Sequence, residues 1–264
     1  MARGRTQQLL VQHRDAGTVK RSPDDLIVEE PMEIHLDGHK VTTTMRTPGH
    51  DFELAVGFCL SDGLLAGFPV TGVRYCGTGS AVESEFNVVT VETGGRAPAP
   101  SARLTTTTSS CGLCGSDTLD TLCDRLHPIP AVEPFDYAVL DGVVDAVRMK
   151  QTLFESTGGV HAAAAFDRRG DVLVVREDIG RHNAVDKVVG RLLLDRRLPA
   201  TDLALFVSGR ASFEIVQKAW AVGFPLVIAV SAPSSLAVAT AKAANMTLIG
   251  FARGHGRMNV YSGI

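Results

Sequence analysis

The chain is expected to adopt an α/β fold, with a mixed, largely parallel sheet covered by helices on both faces and a smaller N-terminal α+β subdomain. Three observations lead to this. From Val160 onward, continuous apolar runs alternate with helix-spaced amphipathic stretches, the pattern of strands buried on both faces. Met32-Glu33-Ile34-His35-Leu36 instead alternates apolar with polar before Asp37-Gly38 and Lys40-Val41-Thr42, the pattern of an antiparallel hairpin. Between the two regions, Gly94-Gly95-Arg96-Ala97-Pro98-Ala99-Pro100-Ser101 has a linker composition that builds no core.

These signals divide the chain into a flexible N-terminal arm (1–21), an N-terminal α+β subdomain (22–93), a linker with a cysteine-bearing loop (94–116) and an α/β domain (117–264). At 264 residues and 45% hydrophobic content the core is ample. A net charge of −3 argues against nucleic acid or an anionic membrane as the general partner. Five irregularly spaced cysteines are not a secreted disulfide framework. The arm has only Leu9-Leu10-Val11 as an apolar run, too short for a signal-peptide core, and nowhere does an apolar run reach the ~20 residues of a membrane helix. The expectation is a soluble, cytoplasmic protein.

Taken in order, Thr47-Pro48 supplies a helix cap and a first-turn proline, and Phe52, Val56, Cys59, Leu60 and Leu64 follow at helical spacing. Cys59 is therefore expected in the core, and Cys76, beside glycines, at a strand end. Phe86 to Val91 is strand-like. Ser116 is placed to cap a helix whose inner face carries Leu119, Leu122, Cys123 and Leu126, which makes Cys123 a core residue too. One further helix spans Leu140 to Phe154 and stops at Gly158-Gly159. Val160 to Phe166, a turn at Arg168-Arg169-Gly170 and Val172 to Val175 form a hairpin, and a helix follows from Asn183 to about Leu194.

Three strand-to-loop steps then close the chain: Leu203–Val207 into Ser208-Gly209-Arg210, Pro225–Val230 into Ser231–Ser235, and Thr247–Phe251 into Arg253-Gly254-His255-Gly256-Arg257. Their carboxyl ends share one sheet edge, where open α/β folds bind ligands. Small residues, helix starts and Arg210, Arg253 and Arg257 suit a nucleotide or pyrophosphate, though no P-loop or dinucleotide fingerprint is present. Solvated loop charges are the competing reading of these arginines.

Cys111-Gly112-Leu113-Cys114, framed by glycine and preceded by Thr105 to Thr108, is the reactive feature. Such a pair closes a disulfide, holds half a metal site or relays sulfur. No second Cys-x-x-Cys or His-x-x-x-His follows the pair to complete a zinc set. A zinc deaminase would need its glutamate where Ala163 follows His161, and a thioredoxin-like site would be flanked by Trp and Pro. A persulfide carrier remains, with the partner thiol assisting sulfur release. The helix start favours Cys114 as the thiolate.

The motifs Ser110-Cys111-Gly112-Leu113-Cys114-Gly115, Thr157-Gly158-Gly159-Val160-His161, Arg176 to Lys187, Ser208-Gly209-Arg210-Ala211-Ser212 and Gly250-Phe251-Ala252-Arg253-Gly254 together resemble the FdhD family of formate dehydrogenase accessory sulfurtransferases. The resemblance covers about Leu26 to Tyr261. It implies a cytidine-deaminase-like fold, a homodimer, and a protein that takes sulfur from a cysteine desulfurase. It further implies delivery of that sulfur to the metal of the molybdenum bis(molybdopterin guanine dinucleotide) cofactor for the formate dehydrogenase catalytic subunit, with a guanine nucleotide as a mimic of that substrate. By motif, Cys111 carries the persulfide with Cys114 as its partner, opposite to the helix-start argument, so their roles stay open. The cofactor-binding segment maps to Phe251, Ala252, Arg253, Gly254, His255 and Gly256 with Arg257 adjoining, joined by Ser208, Gly209 and Arg210. No resident metal is implied. A cofactor-binding chaperone without sulfur transfer and a zinc-dependent deaminase-like hydrolase are the alternatives, and His161, Asp178 and His182 receive no assigned role.

Overall fold

The computed structural model describes residues 4–76, 82, 85–99 and 115–263, with residues 115–118 and 121 described by backbone alone. Cys111, Cys114 and the threonine run lie outside the described residues, as does the proposed capping by the Ser116 side chain. The chain opens on a two-stranded antiparallel hairpin, β1 (Thr6–Asp15) and β2 (Thr18–Ile27), turning at Ala16-Gly17. Residues 6–21 are thus paired strand instead of a ragged arm. The sequence reading missed this because polar strands exposed on both faces give no apolar alternation.

Residues 30–92 form a four-stranded sheet in the order β4-β3-β6-β5, with β3 (Glu30–Leu36), β4 (His39–Arg46), β5 (Gly72–Tyr75) and β6 (Val88–Glu92). The expected hairpin is present: Asp37 and Gly38 both take positive φ, 47° and 85°, as the primed two-residue turn requires. Helix α1 (Asp51–Ser61) covers this sheet and buries Leu54, Val56 and Cys59. It begins later than Thr47-Pro48 implied. Thr47 Oγ1 accepts from the Ile179 N–H at 3.1 Å, so the residue ties two segments together and does not cap the helix.

After α2 (Gly115–Arg125), α3 (Tyr137–Arg148) and α4 (Thr152–Thr157), a six-stranded sheet runs in the order β12-β11-β10-β9-β7-β8. Its strands are β7 (His161–Asp167), β8 (Val172–Asp178), β9 (Leu203–Val207), β10 (Leu226–Ala229), β11 (Thr247–Gly250) and β12 (Asn259–Ser262). Only β9–β10 and β10–β11 pair in parallel; β7–β8, β7–β9 and β11–β12 are antiparallel. The sheet is therefore mixed and not largely parallel, because β7 and the unforeseen β12 run against their neighbours. Helices α5 (Arg181–Leu194), α6 (Phe213–Val222) and α7 (Ser235–Ala243) cover one face, with Ala163, Ala165 and Val207 beneath them. Helix α3 covers the other, over Ala164, Phe166 and Phe206.

Two side-chain expectations fail here. Cys123 is exposed on α2, where the apolar face consists of Leu122 with Leu126 beside it. The stretch from Leu140 to Phe154 is two helices, and Phe154 is exposed on the second.

The two sheets are joined through α1 and α5, which meet backbone to backbone. A Cβ on Gly57 would stand 1.8 Å from the Asp186 carbonyl oxygen, and one on Gly190 would stand 1.8 Å from that of Glu53. Only glycine permits this approach. Lys218 on α6 completes the junction with Asp62 at 2.6 Å and Asp186 at 3.0 Å.

Candidate functional site

The loops after β9, β10 and β11 lie side by side, held by backbone hydrogen bonds. The Ser231 N–H donates to Gly209 O at 3.3 Å, that of Ser234 to Ala211 O at 3.1 Å, and that of Phe251 to Ser231 O at 3.2 Å. They form one edge because β9, β10 and β11 are parallel and end together. Beside them opens a cleft of about 540 Å³. Its floor is Phe206 in β9, Ser208 after that strand, Val230 after β10, His161 at the start of β7 and Ile179 after β8, while Val144 and Arg148 come from α3, Phe154 from α4 and Gln151 from the turn between them. The size suits a nucleotide-scale ligand.

Each wall has an identifiable support. The Glu177 carboxylate accepts the Leu153 and Phe154 N–H groups at 3.0 and 2.8 Å, satisfying the first turn of α4 from a neighbouring strand and fixing Phe154 at the cleft. Ser208 Oγ accepts from the Ala162 N–H at 2.8 Å. Asp178 accepts the N–H groups of Thr47 and Gly180 and an amide N–H of Asn183, at 3.2, 2.8 and 3.0 Å, and pairs with Lys187. Asn183 Nδ2 also donates to Met45 O at 2.8 Å. The Glu177-to-Lys187 segment thus locks the cleft's floor to the N-terminal sheet. Asn183 bonds to Asp178 and Met45, and does not cap α5, whose first residues are Arg181 and His182.

The electrostatics favour an anion beside a neutral base. The His161 imidazole has no hydrogen-bond partner among the described residues and faces Gly209, whose added Cβ would lie 3.5 Å from His161 Nδ1 and 3.9 Å from Arg181 Cδ. Burial, then the Arg181 charge, hold the His161 pKa below its ordinary value against the opposing pull of Asp178. Arg181 stands at the start of α5 with a buried Nε that finds no partner among the described residues. A helix N-terminus with a guanidinium and a neutral imidazole beside apolar walls can hold a heteroaromatic ring and an anionic group together.

Of the residues marked from sequence, Ser208 lines the cleft and Gly209 flanks it, while Arg210 is exposed at its outer side. The Phe251–Arg257 loop lies against α3: the Gly256 N–H donates to Asp141 Oδ1 at 2.6 Å, Gly254 faces the Asp145 carboxylate, and the Arg253 guanidinium sits 5.7 Å from the Phe251 ring. Arg253, His255, Gly256 and Arg257 are exposed, and Ala252 is buried with its N–H on Ala229 O. The structure therefore brings Ser208 and Gly209 to the cleft but leaves the three arginines on its periphery. Arg148, Gln151 and Phe154 were missed. They come from two helices and the turn between them, none bearing a motif, and only the fold brings them over the sheet edge. Cys111 and Cys114 lie outside the described residues; α2 begins at Gly115, directly after them. Among the described residues no group of three His, Cys, Asp or Glu side chains is arranged to hold a metal, and no helix is long and apolar enough to cross a membrane.

Comparison with known proteins adds a family and a fold. Residues 27–264 match the model of the FdhD/NarQ family. The chain is 47% identical over 264 residues to the sulfur carrier protein FdhD of Mycolicibacterium paratuberculosis, covering 97% of each. It is 50% identical over 253 residues to the protein of the same name from Nocardia farcinica, covering 94% of this chain and 89% of that one. A crystal structure of a candidate formate dehydrogenase accessory protein from Desulfotalea psychrophila superposes with a TM-score of 0.79 at 23% identity over 98% of both chains, which shows a shared fold.

Proposed function

The chain belongs to the FdhD/NarQ family, and from that premise we propose that it is a sulfur carrier serving formate dehydrogenase, with Cys111 and Cys114 as the sulfur-handling pair. The observation that carries this reading is the near-full-length identity to proteins named sulfur carriers, within a match that spans the cysteine pair. The cysteine desulfurase, the formate dehydrogenase catalytic subunit and a second copy of the chain are the partners of this reading.

In the proposed cycle a Cys111 thiolate attacks the terminal sulfur of the desulfurase persulfide, forming Cys111–S–SH and releasing the donor thiolate. Attack of the Cys114 thiolate on the Cys111 sulfur then expels hydrosulfide and closes a Cys111–Cys114 disulfide, which a dithiol reductant reopens. The start of α2 at Gly115 favours the thiolate form of Cys114, as this step requires. Hydrosulfide sulfur passes to the metal of the bis(molybdopterin guanine dinucleotide) substrate, whose guanine nucleotide portion suits the cleft of Phe154, His161, Ser208 and Gly209 with the Phe251–Arg257 loop beside it.

The test is to incubate the protein with a cysteine desulfurase and cysteine and to map added sulfur by mass spectrometry. One added sulfur atom is expected on the Cys111–Cys114 peptide; no addition at either residue overturns the carrier reading. Cys111→Ala is expected to abolish formate dehydrogenase activation while leaving cofactor binding intact. Retained activation would instead make the protein a binding chaperone.

A further inference from the structure

The β1–β2 hairpin stands apart from both other sheets. Its ten-residue strands reach about 34 Å at about 3.4 Å per residue, and nearly every residue along them is exposed, Leu10 at 69% and Val19 at 54%. A lone two-stranded hairpin is marginal in water, and its free edges invite another strand or face. Its root, by contrast, is fixed: the Val28 N–H donates to Arg5 O at 2.9 Å, and Ile27 Cγ2 lies 3.3 Å from where a Cβ on Gly159 would stand, at the rim of the cleft.

Its charges are sorted along its length. The outer half carries His13, Arg14, Lys20 and Arg21 against the single carboxylate of Asp15, and the inner half carries Asp24 and Asp25. Between them the middle is apolar and uncharged, with Leu10 opposite Pro23 and Val11 opposite Ser22. Among the described residues Arg14, Lys20, Arg21 and Asp24 form no ion pair. A uniformly acidic partner would match the tip and clash with the root, and a nucleic acid or anionic lipid surface would do the same. The pattern is complementary to itself reversed.

We propose that the hairpin is an arm that pairs with the same arm of a second copy of this chain. The two lie antiparallel about a two-fold axis near Leu10 and Ser22-Pro23, so that Lys20 and Arg21 of one face Asp24 and Asp25 of the other. The axis makes each contact twice. Because each arm is rooted at a cleft rim, the pairing also sets the basic tip of each copy beside the other's cleft. The inference extends the self-associating carrier proposed above by naming its interface, and its failure is read separately from that of sulfur transfer.

The experiment uses the full-length protein and two charge reversals, Lys20→Glu with Arg21→Glu, and Asp24→Lys with Asp25→Lys, in sedimentation velocity over a concentration series. The wild type is expected to dimerise, each variant alone to dimerise at least about tenfold more weakly, and an equimolar mixture of the two to regain wild-type association. A monomeric wild type, unchanged association of either variant, or a mixture no tighter than its components overturns the proposal. Hydrogen exchange on the unmutated protein gives a second reading: the amides of β1 and β2 are expected to gain protection as concentration rises through the dimerisation range, and equal protection throughout overturns it. Sulfur addition at Cys111 and Cys114, assayed on the same variants, is expected to be unchanged, so its absence in the wild type would count only against the carrier reading.

Discussion

The Lys187 ammonium lies 2.7 Å from an Asp178 carboxylate oxygen, with both side chains wholly shielded from solvent. Lys187 also donates to Thr47 O at 2.9 Å, so the pair holds the start of α5 against the segment leading into α1. Burial lowers the Lys187 pKa, and Asp178 opposes that shift. Removing either partner leaves an uncompensated charge in the interior. Asp178→Ala and Lys187→Met are each expected to cost about 3–5 kcal/mol, and the double variant less than their sum. Denaturant unfolding of the four proteins checks this; additive losses would mean that the pair does not act as a unit.

Gly190→Ala tests the contact between α1 and α5. With its new Cβ 1.8 Å from the Glu53 carbonyl oxygen, the helices must separate. That shift also disturbs Glu53, whose carboxylate receives Arg176 Nη2 at 2.8 Å. Overpacking of this kind costs about 1–3 kcal/mol or more, although alanine is the better helix former. A lowered melting temperature is the expected outcome, and an unchanged or raised one would show that the helices slide apart freely.

His182 gives a pH dependence of known sign. Burial first, then the charges of Arg181 and Lys218, push its pKa down to about 4, against Glu214 and Asp62. The Glu214 carboxylate is 3.8 Å from Nε2. Because the folded value lies below the ordinary 6.5, the unfolded chain takes up this proton first as pH falls. His182 therefore supports stability fully above about pH 6.5 and loses that contribution between 6.5 and 4. His182→Gln is expected to flatten the fall in melting temperature across that window. An identical slope in both proteins would assign the dependence to other groups.

How far the sequence alone reached depended on whether periodicity or contact decided the outcome. The Asp37-Gly38 hairpin, the β7–β8 pair and the strands β9 to β11 were legible, because alternation and buried runs encode them locally. Short β5 and β12 were not, since four residues carry too little pattern. The cleft was half legible: the loop after β9 announced Ser208 and Gly209, but Arg148, Gln151 and Phe154 reach it only through the packing of α3 and α4. Gly57 and Gly190 look like weak helix positions in the sequence and become contact points only when α1 and α5 are seen together.

The cysteines outside the proposed pair should differ in reactivity, and the difference corrects a sequence expectation. Cys59 is fully buried, and burial, followed by Asp62 and Asp186, pushes its thiol pKa up, whereas Cys123 is exposed on α2. Under native conditions iodoacetamide is expected to label Cys123 readily and Cys59 only after unfolding. Cys76, half-buried with Arg74 Nη1 2.9 Å from its sulfur, should fall between them. Peptide mapping over a time course reads the order directly, and rapid native labelling of Cys59 would contradict the packing of α1 on its sheet.

Gly209 offers the most selective probe of the cleft. A methyl group there would make ordinary contact with the imidazole, 3.5 Å from His161 Nδ1 and 3.6 Å from Cε1, so Gly209→Ala should bind guanosine diphosphate within about twofold of the wild type. Gly209→Val adds two further methyl groups that must displace His161 or fill the space beside it. An affinity loss of at least about tenfold, roughly 1.4 kcal/mol, is expected for Val alone. The melting temperature should change little, because residue 209 lies at the partly exposed edge of the sheet and outside the apolar cores. Calorimetric titration of the three proteins separates the outcomes: a loss confined to Val places the nucleotide against His161, and equal affinities place it elsewhere on the sheet edge.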